Sequence, residues 1–241
     1  MPAPLRLAVL ASGRGSNLAA LLAAQAAGRL PIETVLVASD RPACQALDVA
    51  RAAGIPVAAL RPRDHRDRAA FDRALFERVA AAAPDLVVLA GFMRILDGDV
   101  VAAMPWPMIN IHPSLLPRYP GLDTHARVLA AGDAEHGASV HLVTADLDAG
   151  PVLAQVRMPV RADDTPERLA ARLLPLEHAL LVAVVGLFAC GRLHAAPAGI
   201  QFDGTTLAVP LVLETSSDDA DPTAARLRAP GARAAPDAGA G

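Results

Sequence analysis

The chain has 241 residues, 53% of them apolar, which is enough to bury a sizeable core and is typical of one large domain. Its net charge is -3 and its arginines are scattered, so we expect no nucleic-acid partner. The longest apolar run, 179–190, is too short to span a bilayer and the first four residues do not resemble a signal peptide, so we expect a cytoplasmic protein without a membrane partner.

Lysine and cysteine usage narrows the possible chemistry. All 22 basic residues are arginine, and a Walker A loop or Schiff-base catalysis would each need a lysine amine, so both are excluded. Cys44 and Cys190 lie far apart, in no spacing typical of a metal site or a disulfide. We expect both to be ordinary buried residues in a reducing compartment.

The first 90 residues alternate between short apolar runs and stretches with helical spacing. The predicted strands are 5–10, 34–38, 57–60 and 86–90, and the predicted helices are 18–27, 43–53 and 68–83. The run at 86–90 is continuously apolar, as in strands that are buried on both faces of a parallel sheet. This alternation favours an α/β fold with an open, twisted, mostly parallel sheet and helices on both faces.

The pattern changes after a further predicted strand at 108–112. Segments 140–144 and 152–160 are typical of strands joined by a turn at 148–151, which predicts an antiparallel C-terminal addition to the sheet. A long helix at 166–188 and a short hairpin at 202–205 follow. Ser, Asp, Pro, Ala and Gly dominate the end of the chain, so we expect one domain over 1–213 and a disordered tail over 214–241.

Residues 12–17, S-G-R-G-S-N, form a glycine-rich loop between the first predicted strand and the first predicted helix. Backbone amides and the helix dipole hold anions at this place in α/β folds, so the amides of Gly15 and Ser16 and the side chain of Asn17 are candidate phosphate ligands. The loop lacks the third glycine of a dinucleotide motif, which favours a single phosphate on a small metabolite. The alternative is a tight turn whose Ser or Asn caps the helix.

Asn110 and His112 alternate with apolar residues in the predicted strand 108–112, so both side chains should project from one face. Pro113 ends the strand, which places the pair at its carboxyl edge, where open α/β sheets bind ligands. An amide beside an imidazole can polarise a carbonyl and stabilise an oxyanion, and the imidazole can move a proton near neutral pH. The alternative is that His112 satisfies buried backbone groups and Asn110 caps the next turn.

A carboxylate could orient and charge such an imidazole, as in triad-type sites. Asp146 and Asp148 both lie in the turn A-D-L-D-A-G-P at 145–151, and spacing alone does not choose between them. An acid that serves only the turn is the default alternative.

Five motifs together resemble those of the folate-dependent phosphoribosylglycinamide formyltransferase family. They are SGRGSN at 12–17, LAGFMRIL at 89–96, NIHPSLLP at 110–117, His136-Gly137 with Val140-His141, and LDAGP at 147–151. The resemblance covers about residues 5–212. It implies a Rossmann-like formyltransferase fold that transfers the formyl group of 10-formyltetrahydrofolate, a co-substrate, to the amine of glycinamide ribonucleotide in purine biosynthesis.

The resemblance also implies roles for single residues. The catalytic set would be Asn110, His112 and Asp148, which selects Asp148 over Asp146. The phosphate of the substrate would bind Gly15, Ser16 and Asn17, and Glu177 would contact the glycinamide part. The folate-binding residues would be Arg68, Met93, Arg94, Ile95, Leu96, Asn110, Thr144 and Asp148. No metal would be required, and the protein would be a monomer or a homodimer.

Other functions predict different sequences. Formyltetrahydrofolate hydrolases carry an N-terminal regulatory module and a glycine-poor first loop, and methionyl-tRNA formyltransferases carry a basic C-terminal domain. This sequence starts at the first predicted strand and ends in an acidic, Ala-rich tail, so we expect neither activity. A non-catalytic module that binds a phosphorylated ligand through 12–17 would leave Asn110, His112 and Asp148 unexplained.

Overall fold

A computed structural model describes residues 3–196, 199–214 and 226–229. The strands are β1 (Leu5–Leu10), β2 (Ile32–Ser39), β3 (Val57–Ala59), β4 (Leu86–Leu89), β5 (Met108–His112), β6 (Glu135–Leu142), β7 (Val152–Pro159), β8 (Leu193–Ala196), β9 (Gly199–Phe202), β10 (Thr205–Thr206), β11 (Leu211–Glu214) and β12 (Arg226–Arg228). The helices are α1 (Ser16–Ala26), α2 (Gln45–Ala52), α3 (Arg68–Ala81), α4 (Gly98–Ala102), α5 (Thr124–Ala131) and α6 (Pro166–Ala189).

The main sheet has nine described strands in the order β12-β11-β7-β6-β5-β4-β1-β2-β3. The five strands from β5 to β3 pair in parallel, whereas β6 is antiparallel to both β5 and β7. The predicted parallel sheet and its antiparallel addition are therefore confirmed. Beyond the prediction, β11 adds to β7 in parallel and β12 adds to β11 antiparallel. A separate antiparallel sheet, β8-β9-β10, contains the predicted hairpin at 202–205.

Helices cover both faces of the main sheet, as the alternation of strands and helices predicts. On β1, Leu7 and Val9 belong to a buried cluster with α1, α2 and α6, whereas Ala8 and Leu10 face a second cluster with α3 and α4. Helix α6 is longer than the apolar run 179–190. By length and apolar composition alone it could cross a membrane. In this fold it contacts α1, β6 and β7.

The structure corrects several sequence predictions. Helix α1 begins at Ser16, two residues early, and β6 begins at Glu135 rather than at 140, because its first half lacks a clear apolar alternation. The short helices α4 and α5 were not predicted. Cys44 is buried as expected, but Cys190 caps the end of α6 and is exposed.

The predicted disordered tail over 214–241 is wrong at its first residue, Glu214, which ends β11, and again at 226–228. Residues 226–228 form β12, in which Leu227 packs against the core and Arg228 pairs with Glu214 at 3.1 Å. Backbone pairing with β11 compensates for a composition that would not itself predict a strand. The rest of the predicted tail, 215–225 and 230–241, lies outside the described residues.

Candidate active site

The carboxyl ends of β1, β4 and β5 lie side by side because these strands are parallel neighbours. Two cavities open at this edge of the sheet, the usual place for ligands in open α/β folds. The first, which we call the loop pocket, has a volume of about 780 Å³ and is lined by residues 12–17, Arg41 and Glu177, among others. The second, the strand-end cleft, has a volume of about 450 Å³ and is lined in part by Asn110, His112 and Asp148.

Gly15 shapes the loop pocket. It is the N-cap residue of α1 with φ 77°, and a Cβ at this position would lie only 2.8 Å from the Cα of Ala46. Only glycine fits this left-handed conformation at such close approach. The predicted alternative of a Ser or Asn cap is wrong, since no side chain caps α1. The amides of the first turn, including those of Ser16 and Asn17, therefore remain available to an anion.

Glu177 reaches the same pocket from α6. Burial raises the pKa of Glu177 to about 7, although the neighbouring Asn17 side chain opposes the rise. The Asn17 Oδ1 atom is itself buried and has no hydrogen-bond partner among the described residues. The pocket thus combines free amides at one end with a carboxyl group that titrates near neutral pH.

Strand β5 delivers Asn110 and His112 to the strand-end cleft. Ile109 and Ile111 point into the core beside α1 and α6, and the alternation of a strand sends the two polar side chains to the other face. Asn110 is half-buried and His112 is buried. The structure therefore brings together the pair that the sequence predicts to lie together.

The hydrogen bonds of His112 define its resting state. Its Nε2 lies 2.9 Å from the carbonyl oxygen of Tyr119, so this nitrogen carries a proton and donates it. In the neutral ring Nδ1 then bears a lone pair, and it lies 3.5 Å from Oδ2 of Asp148. Burial lowers the pKa of His112, while the Tyr119 carbonyl and the Asp148 charge oppose that effect. The resting ring is mainly neutral, and its contact with Asp148 strengthens when Nδ1 gains a proton.

The turn 145–151 presents Asp148, not Asp146, to the imidazole. Asp148 adopts φ 51°, and its Oδ2 accepts a hydrogen bond of 2.8 Å from the Gly121 amide. Burial would raise the pKa of Asp148, but the His141 side chain 3.6 Å away, the hydrogen bond from the Gly121 amide and the nearby His112 imidazole hold it below its usual value. Asp146 is exposed, and its carbonyl serves the turn.

His141 also belongs to this cluster, although the sequence alone predicts no role for it. Its Nε2 lies 3.1 Å from Nδ2 of Asn110 and 3.6 Å from Oδ1 of Asp148, while Nδ1 lies 2.9 Å from the Leu142 carbonyl. The antiparallel pairing of β5 with β6 sets Asn110 opposite His141. A polar residue among buried neighbours on β6 was the available signal, but the strand register that gives it meaning is not local in sequence.

Most predicted folate-binding residues surround the strand-end cleft and an adjoining recess of about 80 Å³. Met93 and Ile95 are exposed at 61% and 52%, which is unusual for large apolar side chains. Arg94 packs its guanidinium 4.6 Å from the ring centre of Phe71, and Leu96 and Thr144 line the recess. The loop 90–97 and the turn 145–151 together form an apolar-lined wall.

Arg68 is the predicted folate-binding residue that lines neither cavity. It begins α3, near enough to Asp72 for its charge to act on that carboxyl. Asp72 in turn accepts a hydrogen bond of 2.7 Å from the Asp97 amide, at the end of the loop 90–97. Within the described ranges, no group of three or more His, Cys, Asp or Glu residues is arranged to hold a metal ion.

Comparisons with known proteins identify the family that this chain resembles. A family model described as formyl transferase matches residues 5–185. Phosphoribosylglycinamide formyltransferase of Escherichia coli (strain K12) is 43% identical over 203 residues, which cover 84% of this chain and 96% of that protein. The enzyme of the same description from Mycobacterium tuberculosis (strain ATCC 25618 / H37Rv) is 46% identical over 187 residues, covering 78% of this chain and 86% of the relative.

Solved structures agree with the sequence relatives. The structure of phosphoribosylglycinamide formyltransferase from Coxiella burnetii, in complex with CHES, superposes with a TM-score of 0.81 at 45% identity and covers 85% of this chain and 96% of that chain. Glycinamide ribonucleotide transformylase 1 from Symbiobacterium toebii has a TM-score of 0.79 at 40% identity, with 84% and 95% of the two chains covered.

Proposed function

Because this chain belongs to the formyl transferase family, we propose that Asn110, His112 and Asp148 are the groups with which it performs its reaction. That reaction is the transfer of the formyl group of 10-formyltetrahydrofolate to the primary amine of glycinamide ribonucleotide in purine biosynthesis. The observation that carries the residue assignment is the 3.5 Å approach of His112 Nδ1 to Asp148 Oδ2 in the wall of a cleft that Asn110 also lines.

The two cavities suit the two ends of glycinamide ribonucleotide. The phosphate would bind the free amides at Gly15 and Ser16 with the Asn17 side chain, and Glu177 would contact the glycinamide part. The loop pocket and the strand-end cleft share lining residues, including Gly91 and Ile111. A substrate anchored by its phosphate can therefore extend its amine toward the catalytic groups.

The folate would lie against the wall formed by the loop 90–97 and the turn 145–151. A flat ring there would cover Met93 and Ile95, which are otherwise exposed, and would contact Arg94 and Leu96. Thr144, Asn110 and Asp148 border the same space. In this proposal Arg68 interacts with a more distant part of the folate, outside the two cavities.

The chemical step places most demand on Asn110 and His112. The amine nitrogen bonds to the formyl carbon, and the carbonyl electron pair moves onto oxygen. Collapse of this oxyanion breaks the bond from carbon to the departing folate nitrogen, which receives the proton that the amine loses. Donors aimed at the oxyanion lower the barrier because they act in a cleft of low dielectric constant.

The resting hydrogen bonds of His112 indicate how it would take part. The buried ring is mainly neutral, so a proton from the attacking amine could reach Nδ1 and convert the 3.5 Å approach to Asp148 into an ion pair. The Nε2 proton would exchange the Tyr119 carbonyl for the oxyanion. Asp148 would stabilise the imidazolium formed in this way, most strongly near the transition state. When the intermediate collapses, the Nδ1 proton would pass to the departing folate nitrogen and return His112 to its neutral form.

The test is turnover in purified variants, followed by folate absorbance with glycinamide ribonucleotide as acceptor. We expect His112→Ala and Asp148→Asn to lower kcat by orders of magnitude with smaller effects on substrate binding. Asp146→Asn is the matched control for kcat, because it removes an exposed carboxylate from the same turn. It should keep wild-type kcat, and any effect of this recess-lining residue on folate binding should appear in KM. Near-normal turnover in His112→Ala, or equal losses in the two Asp variants, would contradict the assignment.

We further propose that the catalytic unit spans residues 1–213 and acts in the cytoplasm, as a monomer or a homodimer, without nucleic-acid or membrane partners. The net charge of -3 and the two free thiols support this proposal. Sedimentation of the full chain across a concentration range would give its assembly state. Cofractionation with membranes or nucleic acid from a cell extract would contradict the proposed absence of such partners.

A further inference from the structure

A second pair of histidines lies where the loop pocket meets the strand-end cleft. Five residues line both cavities, namely Gly91, Met93, Ile111, Pro113 and His125, and only His125 among them has a polar side chain. Any ligand that joins the two cavities must pass this boundary. His125 is therefore placed to make the one polar side-chain contact at that point.

His136 holds the His125 ring from behind. Nδ1 of His125 lies 2.9 Å from Nε2 of His136, and the two rings meet edge to face. His136 is 1% exposed on β6, and its Nδ1 is buried without a hydrogen-bond partner among the described residues. Burial lowers the pKa of His136 to about 4 and also lowers that of His125, so both rings are neutral at pH 7.

Two neutral imidazoles that share one hydrogen bond have two possible proton arrangements. If His125 donates through Nδ1, the proton of His136 must sit on its own Nδ1, as a buried N–H with no acceptor. If His136 donates through Nε2, its Nδ1 is unprotonated and carries only a lone pair. Buried N–H groups without acceptors are the rarer and costlier case, so the second arrangement is favoured.

We infer that His125 donates its Nε2 proton to an oxygen of the ribosyl-glycinamide part of the substrate, and that His136 is a positioning residue that fixes the required tautomer. In that tautomer the Nε2 of His125 carries the proton. This atom has no partner in the described part of the chain and is not among its buried unpaired polar atoms, so it is accessible. The inference rests on the proposed placement of the substrate phosphate in the loop pocket.

Binding of each substrate to single variants tests the His125 contact. His125→Leu should weaken binding of glycinamide ribonucleotide about fivefold, the value of one neutral hydrogen bond, and should change folate binding less than twofold. His125→Gln, which can still present an N–H, should recover most of the loss. His194→Leu, in the small sheet away from both cavities, is the control and should bind both substrates normally. Unchanged nucleotide binding in His125→Leu would overturn the inference.

Nitrogen NMR of the full chain with labelled histidine tests the tautomer without any mutation. We expect His125 in the wild type to be neutral and protonated on Nε2 at pH 7, and to lose this single tautomer in His136→Leu but keep it in His136→Gln. A wild-type His125 that is charged, or protonated on Nδ1, would overturn the inference even if His136→Leu does not fold. Because His112→Ala tests turnover and these experiments test binding, the two proposals can fail separately.

Discussion

The loop pocket and the strand-end cleft share one edge of the sheet but are built in different ways. The proposed anion-binding groups of the loop pocket are mainly amides of consecutive residues at the start of α1. The groups of the cleft are side chains from β5, β6 and the turn 145–151, which meet only in the folded chain. Backbone amides survive most side-chain changes, whereas each contact in the cleft depends on one atom. The cleft should therefore be sensitive to side-chain identity and the loop pocket to backbone conformation.

Asn110→Ala should have the largest effect on turnover among the following variants. It would remove the proposed donor to the oxyanion and leave the Nε2 of His141 without its 3.1 Å partner. We expect kcat to fall about 10²- to 10³-fold, as for other oxyanion donors, with substrate dissociation constants changed much less. Steady-state kinetics with binding titrations would check this split. A loss that appears only in KM would assign Asn110 to substrate binding instead.

His141→Leu tests whether the cleft depends on contacts behind the catalytic groups. The imidazole touches both Asn110 and Asp148, so its loss should leave both side chains free to reorient. We expect kcat to fall roughly tenfold to a hundredfold, because Asn110 and Asp148 would lose the contact that orients them. The comparison variant His136→Gln, at another buried histidine of β6, can keep the hydrogen bond to His125 and should leave kcat closer to normal. Equal kcat losses would point to a general defect of β6.

Gly15→Ala tests the loop pocket through its backbone. An added Cβ would meet Ala46 at 2.8 Å at a φ of 77°, so the start of α1 must shift. We expect KM for glycinamide ribonucleotide to rise about tenfold and stability to fall by about 1–3 kcal/mol, with kcat little changed. Gly13→Ala is the control for stability, since a Cβ there meets nothing within 4 Å. Equal losses of stability in the two variants would show that the backbone conformation at Gly15 has no special role.

Glu177→Gln should give the smallest effect, visible mainly in pH dependence. The pKa of Glu177 in the fold, about 7, lies above its ordinary value of 4.5, so the fold favours the protonated form. Its contribution to stability is complete below pH 4.5 and is lost as pH rises through about 7. The wild type should therefore lose stability relative to the Gln variant over that range, by no more than about 1.4 kcal/mol per pH unit.

Urea unfolding at pH 5 and pH 8 would measure this difference. Glu167→Gln is a useful comparison, since its carboxyl lines the same pocket but is exposed, with a pKa held low by backbone and Thr165 hydrogen bonds. For Glu167 the sign should be opposite: the wild type should lose stability relative to Glu167→Gln as the pH is lowered. Equal changes in unfolding free energy between pH 5 and pH 8 for the wild type and Glu177→Gln would show that burial does not raise the pKa of Glu177.

The sequence by itself determined the features that depend on neighbouring residues. Alternation in 108–112 placed Asn110 and His112 on one strand face, and the glycine loop after β1 marked the candidate anion site, because strand periodicity and turn chemistry are local. The family resemblance selected Asp148 over Asp146, but only the tertiary structure brought Asp148 to the His112 imidazole, set His141 opposite Asn110, and joined His125 to His136. Those contacts depend on strand register and on the closure of distant loops, where burial and hydrogen bonding across the sheet outweigh any local signal.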